Sequence, residues 1–310
     1  MLDVQHATHN STFDEDAVSS PTVDEAEATR LEVTGRFRVL RRLKHRPVRA
    51  LPISGTTRVG VIVDTETTGL DAAKDEVLEI GALAFTYDAD GIQCLVASFE
   101  GLEQPSRPLT PEIVRLTGLT DETLHGKSID REALAAFLEP ADLIVAHNAR
   151  FDRPFCERLL PEFGTKTWAC SFADVGWKAM DADGARLGSL LASVGLFHEG
   201  HRALEDCYAL LEVLTSSRYA GPRGAFAQIL AATAGEAWEI RAEGAPFACK
   251  DILKSRGYRW SPGDGSLSKC WFKVVPAAQM EHERRYLTIE IFRGSRAPVV
   301  RKIDPGDRFR

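Results

Sequence analysis

Short apolar runs separated by polar turns predict the first three strands of a sheet. Residues 59–63, Val-Gly-Val-Ile-Val, form a β-branched apolar run that is typical of a buried strand and ends at Asp64. Val77–Tyr87 predicts a second strand. It is followed by residues 88–91, Asp-Ala-Asp-Gly, in which Asp-Gly supplies the positive φ of a hairpin turn. Residues 92–99 predict the third strand.

The period of the apolar positions then changes and predicts helices around one further strand. Thr110 and Pro111 provide the N-cap and first position of a helix that reaches Leu116. Residues 143–146, Leu-Ile-Val-Ala, form another buried strand. This order of elements predicts an α/β fold, a mixed sheet flanked by helices. The remaining predicted helices of this region cover residues 130–138, 153–160, 187–194 and 202–214.

Composition along the chain divides it into five segments. Residues 1–35 are acidic and poor in large apolar groups, which predicts a flexible segment. Residues 36–57 form a basic arm, which is either a docking arm or an edge strand. The main domain spans residues 58–215, and a linker with one helix spans residues 216–245. Residues 246–310 predict a small basic and aromatic α+β module.

The overall composition is that of a soluble globular protein. The 310 residues are 44% hydrophobic and 27% charged, which is enough to form a substantial core. No apolar run approaches the roughly 20 residues that cross a bilayer, and the polar N-terminus lacks the apolar stretch of a secretory signal, so no membrane partner is expected. The six cysteines form no Cys-x-x-Cys pair, which argues against zinc and favours a reducing, cytoplasmic compartment.

Charge is distributed unevenly. Residues 250–310 contain 14 Lys and Arg against 7 Asp and Glu, a net charge of +7. Since the whole chain has a net charge of −7, residues 1–249 have a net charge of −14. The basic end is therefore a candidate for contacts with phosphate, and the acidic region is better suited to binding cations.

Two carboxylates follow the first buried strand with the spacing of a metal site. Asp64 and Glu66 are two residues apart, so in a strand their side chains point to the same face. Carboxylates that share one position repel each other unless a cation lies between them, and hard oxygen ligands suit Mg²⁺ or Mn²⁺. The alternative interpretation is a polar strand end followed by the turn Thr67-Thr68-Gly69.

Two further places in the sequence offer acid–base or metal-binding groups. Asp152 follows the buried strand at residues 143–146, where an aspartate can also be a helix N-cap. His201 precedes Asp206 by five residues at the start of a predicted helix. A histidine beside a carboxylate-bound metal can accept a proton from water. The alternative is a surface histidine and an ordinary acidic residue in the first helical turn.

Together these segments resemble the three motifs of the DEDDh, or DnaQ-like, exonucleases. The motifs here are Asp-Thr-Glu-Thr-Thr-Gly at residues 64–69, His-Asn-Ala-Arg-Phe-Asp at residues 147–152 and His-Arg-Ala-x-x-Asp at residues 201–206. The family includes the proofreading epsilon subunit of bacterial DNA polymerase III and ribonuclease T. The resemblance covers residues 58–215 and implies a ribonuclease H-like fold with 3′→5′ phosphodiester hydrolysis.

The resemblance also assigns roles to residues. Asp64, Glu66, Asp152 and Asp206 match the ligands of two divalent ions, Mg²⁺ or Mn²⁺. His201 matches the general base, because the family spacing to Asp206 selects it over His198. The positions that match substrate-binding or neighbouring residues are Thr67, Thr68, Leu70, Phe151, His147 and Asn148. Phe151 could equally pack in the core, and Glu79, a polar residue in an apolar strand, is expected to support the site.

The C-terminal module interleaves basic and aromatic residues. Basic groups can bind phosphates while rings stack on bases. Alternatively, the rings form the core of the module. The residues concerned are Lys254, Arg256, Arg259 and Lys269, with Tyr258, Trp260, Trp271 and Phe272.

Three functions remain open from the sequence. The first is a DNA exonuclease acting on 3′ ends, which is favoured over the second, an RNA 3′-end processing ribonuclease. The third is a polymerase-associated proofreading or accessory binding protein, and a polymerase or repair complex is an expected partner. Residues 228–230, Gln-Ile-Leu, lack the remaining apolar positions of a clamp-binding peptide, so replicative proofreading receives no specific support.

Overall fold

The computed structural model describes residues 23–49, 57–263 and 267–309. These residues include eleven strands, of which β2 to β6 form one sheet and β8 to β11 another. The strands are β1 (Arg41–Arg42), β2 (Arg58–Thr67), β3 (Val77–Tyr87), β4 (Ile92–Leu102), β5 (Leu143–Ala146), β6 (Thr167–Cys170), β7 (Leu196–Phe197), β8 (Ala237–Glu243), β9 (Arg259–Ser261), β10 (Cys270–Pro276) and β11 (Val299–Ile303).

The same residues contain eleven α-helices, most of them short. None of them is both long enough and apolar enough to cross a membrane. The helices are α1 (Val23–Val33), α2 (Pro111–Thr117), α3 (Asp121–Leu124), α4 (Arg131–Leu138), α5 (Ala149–Leu159), α6 (Ser171–Asp174), α7 (Leu187–Ser193), α8 (Ala203–Thr215), α9 (Ala225–Ala234), α10 (Lys250–Ser255) and α11 (Ala277–Tyr286).

The five-stranded sheet has the order β4-β3-β2-β5-β6. β3 is antiparallel to β2 and β4, whereas β5 and β6 run parallel to β2. This mixed sheet flanked by helices confirms the predicted fold class. The first strand, however, does not end at Asp64. β2 continues to Thr67, because its backbone goes on pairing with β3 across a register shift between Glu66 and Thr67.

Alternate positions of β2 supply two separate cores, one on each face of the sheet. Ile62 is fully buried among apolar residues that include Leu210 of α8. Val61 and Val63 are fully buried on the other face, in a cluster that includes Phe155 of α5. Each such side chain contributes about 1.5–3 kcal/mol of burial free energy. The two cores fix β2 between α8 and α5, the helices that bear the other acidic motif residues.

The helix boundaries explain where Asp152 lies. Thr110 caps α2 as predicted, since its side chain accepts a hydrogen bond from the N–H of Ile113. The helix predicted from Arg153 begins four residues earlier, at Ala149, after Asn148 with a φ of 95°. Asp152 is therefore in the first turn of α5 and is not its N-cap.

The N-terminal unit, described from residue 23 to Arg41, contains α1. Within residues 1–35, which the sequence predicts to be a flexible segment, residues 23–33 form this helix, and residues 1–22 lie outside the described residues. Arg41 stabilises the helix because its guanidinium contacts Glu25 at 2.6 Å and Glu32 at 2.9 Å. The sequence pattern did not reveal this helix, since α1 buries no residue.

The described part of the basic arm that belongs to the larger unit, residues 42–49, packs on the main domain. Leu43 is buried in the core, and its N–H donates to the carbonyl of Phe197 at 2.8 Å. His45 stacks on Tyr208 of α8, with ring centroids 3.9 Å apart. Arg46 pairs with Glu212 of the same helix. These contacts attach residues 42–49 to α8 and to the core of the main domain; residues 50–56 lie outside the described residues.

Residues 216–245, predicted as a linker with one helix, contribute that helix to one core of the five-stranded sheet and a strand to the second sheet. Phe226 and Ile229 of α9 are buried on the α8 face of the five-stranded sheet. β8 is an inner strand of the second sheet, whose order is β11-β8-β10-β9. Its strand pattern was obscured because Glu239 and Arg241, both buried, satisfy each other in an ion pair of 3.0 Å.

The aromatic residues of the C-terminal module have divided roles. Tyr258 and Phe272 are buried, as the core interpretation predicts, whereas Trp260 is 53% exposed. The end of the chain also packs on the main domain. The buried guanidinium of Arg153 donates to the carbonyl oxygens of Gly306 and Arg308.

Candidate active site

Three of the predicted acidic residues meet at the edge of the five-stranded sheet. Asp64 and Glu66 come from β2, and Asp206 comes from the first turns of α8. One carboxylate oxygen of each lies within 4.8 Å of the others. The two-residue period of the strand aims Asp64 and Glu66 to one side, and the packing of α8 on the sheet adds Asp206.

Asp152 is held beside Asp64 and Glu66 by Thr65, the residue between them in β2. Its Oδ1 accepts hydrogen bonds from the N–H of Thr65 at 3.1 Å and from its hydroxyl at 3.0 Å. Both residues are buried. The backbone of β2 therefore orients the fourth carboxylate, and the structure brings together all four acids that the sequence predicts.

The acids destabilise one another's charge. Burial, together with repulsion from Asp152, Asp206 and Glu66, raises the pKa of Asp64 well above its usual value. Burial raises the pKa of Glu66 to about 8, with a further contribution from repulsion by Asp206. A bound cation would relieve this repulsion.

The donor chemistry fits a hard divalent cation. The ligand atoms available are carboxylate oxygens, which Mg²⁺ and Mn²⁺ prefer, and no cysteine or histidine belongs to the three-residue cluster. Asp64, Glu66 and Asp206 would hold such an ion, with Asp152 beside them. The identity and number of ions remain a prediction.

The two histidines before α8 contact Asp206 in different ways. His201 has a φ of 67°, its side chain is exposed, and its backbone N–H donates to Oδ2 of Asp206 at 2.8 Å. The ring of His198, only 6% exposed, places Nε2 at 2.7 Å from Oδ1 of the same carboxylate. The sequence spacing singled out His201, but the side chain in contact with the carboxylate is that of His198.

Glu79 links β3 to the start of α8. It is fully buried, accepts two hydrogen bonds from Arg202 and accepts the N–H of Ala203 at 3.2 Å. Close contact at Gly81 also positions this helix, because a Cβ there would lie 2.3 Å from the nitrogen of Leu204. Glu79 thus supports the site by fixing the helix that bears Asp206, the role anticipated for it.

A cavity of about 620 Å³ opens beside Asp206. His147 and Asn148 line it, as do both histidines of the Asp206 loop. The Nδ1 of His147 is 2.8 Å from the hydroxyl of Ser171, and burial lowers the pKa of His147 to about 4, so this ring is neutral at physiological pH. Motif matching did not single out the cavity residues Phe172 and Arg186; the signal for Phe172 was its place in α6, two residues after the buried strand β6.

The remaining predicted substrate residues have mixed surroundings. Leu70 is 87% exposed at the surface. The hydroxyl of Thr67 donates to the carbonyl of Gly69, and that of Thr68 accepts the N–H of Glu76, so both shape the turn after β2. Phe151 contacts Phe155, with ring centroids 5.2 Å apart, and packs against the core. Phe151 is half-buried, and its proposed contact with substrate stays a prediction.

Comparison with known proteins agrees with these motifs. The family model described as "Exonuclease" (RNase_T) matches residues 61–214. The chain is 33% identical over 164 residues to the DNA polymerase III subunit epsilon of Treponema pallidum, covering 49% of this chain and 73% of that protein. It is also 33% identical over 159 residues to the PolC-type DNA polymerase III of Thermotoga maritima, of which it spans 11%.

Among solved structures, the chain is similar to exonuclease X in complex with 5′ overhanging duplex DNA. The sequence identity is 25% and the TM-score is 0.39. The match covers 55% of this chain and 99% of the other.

Proposed function

Because the chain belongs to the DnaQ-like exonuclease family, we propose that it is a metal-dependent 3′→5′ exonuclease that shortens single-stranded DNA. The observation that supports this most strongly is the meeting of Asp64, Glu66 and Asp206, with Asp152 held beside them by Thr65. Such a cluster of acids has raised pKa values that a divalent cation would lower.

Two divalent cations bound by these four carboxylates would activate a water molecule and stabilise charge on the phosphate and the leaving oxygen. The protein's own groups keep the carboxylates in place. Thr65 fixes Asp152, while the backbone N–H of His201 and the ring of His198 fix Asp206. The site is therefore largely assembled before substrate arrives.

In the proposed reaction, the oxygen of water attacks the last phosphodiester and the bond from phosphorus to the 3′ oxygen breaks. The ring of His201 accepts one proton from the attacking water. The leaving oxygen takes up a proton from solvent, so the products are a nucleoside 5′-monophosphate and a strand one residue shorter with a free 3′ hydroxyl. The exposed ring of His201 is open to solvent and to the cavity, which suits this role.

A direct experiment uses DNA and RNA oligonucleotides of the same sequence, each labelled once at the 5′ end. With Mg²⁺ or Mn²⁺, labelled DNA should shorten one nucleotide at a time, and EDTA should stop the reaction. Immediate release of the label as a mononucleotide would contradict the 3′→5′ direction. Faster cleavage of RNA would favour the 3′-end processing function, and the Asp64→Asn variant serves as the inactive control.

A polymerase or repair complex remains a proposed partner. The support is the similarity of residues 61–214 to proteins named as DNA polymerase III subunits. We also propose a cytoplasmic location, since all six cysteines have free thiols, as in a reducing compartment.

A further inference from the structure

A second cavity, of about 610 Å³, lies between the main domain and the C-terminal sheet. Arg150 of α5 lines it from the main domain, and Arg259, Phe272 and Lys273 line it from β9 and β10. The antiparallel register places Arg259 directly opposite Phe272. Because paired residues point to the same face, the ring of Phe272 and the stem of Arg259 form one wall.

The lining is rich in cations, and some already have partners. Lys273 lies 3.5 Å from Glu283, and Arg308 pairs with Asp174. These two cations are therefore largely neutralised by the protein itself.

Arg150 and Arg259 differ from them, because neither has an ion-pair partner within residues 23–49, 57–263 and 267–309. The guanidinium of Arg150 lies 5.0 Å from the centroid of the Phe272 ring. Its Nε is buried and has no hydrogen-bond partner among the described groups. A buried donor without a partner is destabilising, and an anionic ligand would supply the missing acceptor.

The two arginines also repel each other. The charges of Arg259 and Glu239 both act on Arg150, but Glu239 already pairs with Arg241 at 3.0 Å. Two guanidinium groups that face one cavity and repel are suited to share an anion, and guanidinium geometry matches phosphate oxygens.

This cavity adjoins the active-site cavity. Phe172 lines both of them, and Arg150 lies only two residues before Asp152 in α5. An anion bound between Arg150 and Arg259 would therefore be separated from the active-site cavity by Phe172. A strand whose 3′ end occupies the active-site cavity can reach this second cavity past Phe172.

We propose that the cavity between α5 and the C-terminal sheet binds a backbone phosphate of the nucleic-acid strand, upstream of the nucleotide being removed. The site rests on the proposed function, and Arg150 and Arg259 are its phosphate ligands. Trp260 lies on the opposite face of β9 from Arg259, so it is not part of this site.

The test compares two substrates of very different length. One is a 12-nucleotide oligothymidine with a 5′ fluorophore. The other is the p-nitrophenyl ester of thymidine 5′-phosphate, which has a single phosphodiester and no upstream strand. Arg259→Met changes an exposed side chain, and Arg150→Met keeps an apolar stem against Phe272. Arg285→Met, an exposed arginine of α11 that does not line the cavity, is the matched control.

For both cavity variants, the ratio of kcat/KM on the oligonucleotide to kcat/KM on the ester should fall about 10-fold, as expected for loss of one charge-assisted contact. Arg285→Met should leave the ratio unchanged. Fluorescence anisotropy in EDTA should show the slope of log Kd against log salt reduced by about 0.7 for each lost contact.

Equal salt slopes for wild type and Arg259→Met would overturn the proposal, as would an equal loss on both substrates. Calorimetric binding of thymidine monophosphate that disappears in Arg259→Met would identify a free nucleotide as the occupant and overturn the strand assignment. A wild type that cleaves neither substrate would contradict the proposed function instead, while the salt slopes would still test the cavity.

Discussion

The Nε2 of His198 lies 2.7 Å from one oxygen of Asp206, whereas His201 reaches the other oxygen only through its backbone N–H at 2.8 Å. One histidine side chain thus holds the carboxylate, and the other stays exposed beside the cavity. We therefore expect the two histidines to have different roles, although they are only three positions apart.

The first prediction separates the two histidines kinetically. His201→Ala should lower kcat by roughly 10²–10⁴-fold, the usual contribution of a general base, with little change in the Mg²⁺ requirement. His198→Ala should instead raise the Mg²⁺ concentration for half-maximal activity by about 10-fold, because Asp206 loses the group that orients it. Mg²⁺ titrations of steady-state rates measure both effects. The reverse pattern would make His198 the base.

A second prediction concerns the repulsion among the acids. Asp64→Asn should abolish cleavage and yet raise the free energy of unfolding in EDTA by about 1–3 kcal/mol, since a buried charge with unfavourable neighbours is removed. Urea denaturation measures this change. Asp174→Asn is the matched control: its side chain is 7% exposed but has a cationic partner, Arg308, so its substitution should be destabilising. A change in the free energy of unfolding with the same sign for both variants would contradict the inferred repulsion among the acids.

Third, Glu79→Ala should destabilise the protein by about 1–3 kcal/mol and reduce activity, because Arg202 and the N–H of Ala203 lose a buried acceptor. Glu79→Gln retains an acceptor oxygen, so it should recover part of the stability and part of the activity. The measurements are urea midpoints and initial rates on labelled DNA. Full activity of Glu79→Ala would show that α8 is placed without this contact.

A fourth prediction concerns the fit of α8 on the sheet. Gly81→Ala would place a methyl group 2.3 Å from the backbone of Leu204, so it should cost about 1–3 kcal/mol by overpacking and displace the helix that bears Asp206. Gly184→Ala, whose added Cβ would have no neighbour within 4 Å, is the control. Thermal unfolding and the Mg²⁺ requirement report the two effects. Equal melting temperatures for the two variants would show that the contact at Gly81 is not restrictive.

Local sequence determined much of the acidic cluster at the edge of the five-stranded sheet. The apolar run before Asp64 predicted a buried strand, and its two-residue period placed Asp64 and Glu66 on one side, as the structure shows. Motif spacing then added Asp152 and Asp206. The structure brings these four acids together, and their role as metal ligands stays a prediction.

Segments whose polar residues are buried were harder to interpret. The sequence predicts a linker where the structure has β8, because Glu239 and Arg241 interrupt the apolar pattern of this strand. Their burial is explained only by the ion pair between them within the folded sheet. The sequence pattern did not predict α1, because this helix buries no residue and therefore has no apolar stripe.

The sequence by itself determined which residues could form an acidic metal site, because residue type and strand period are local properties. Only the tertiary structure decided that His198 contacts Asp206, that the ring of Phe151 packs against Phe155 and that Arg150 faces a cavity built with β9 and β10. Those outcomes depend on the packing of elements distant in the chain, and such packing sets the direction and surroundings of each side chain.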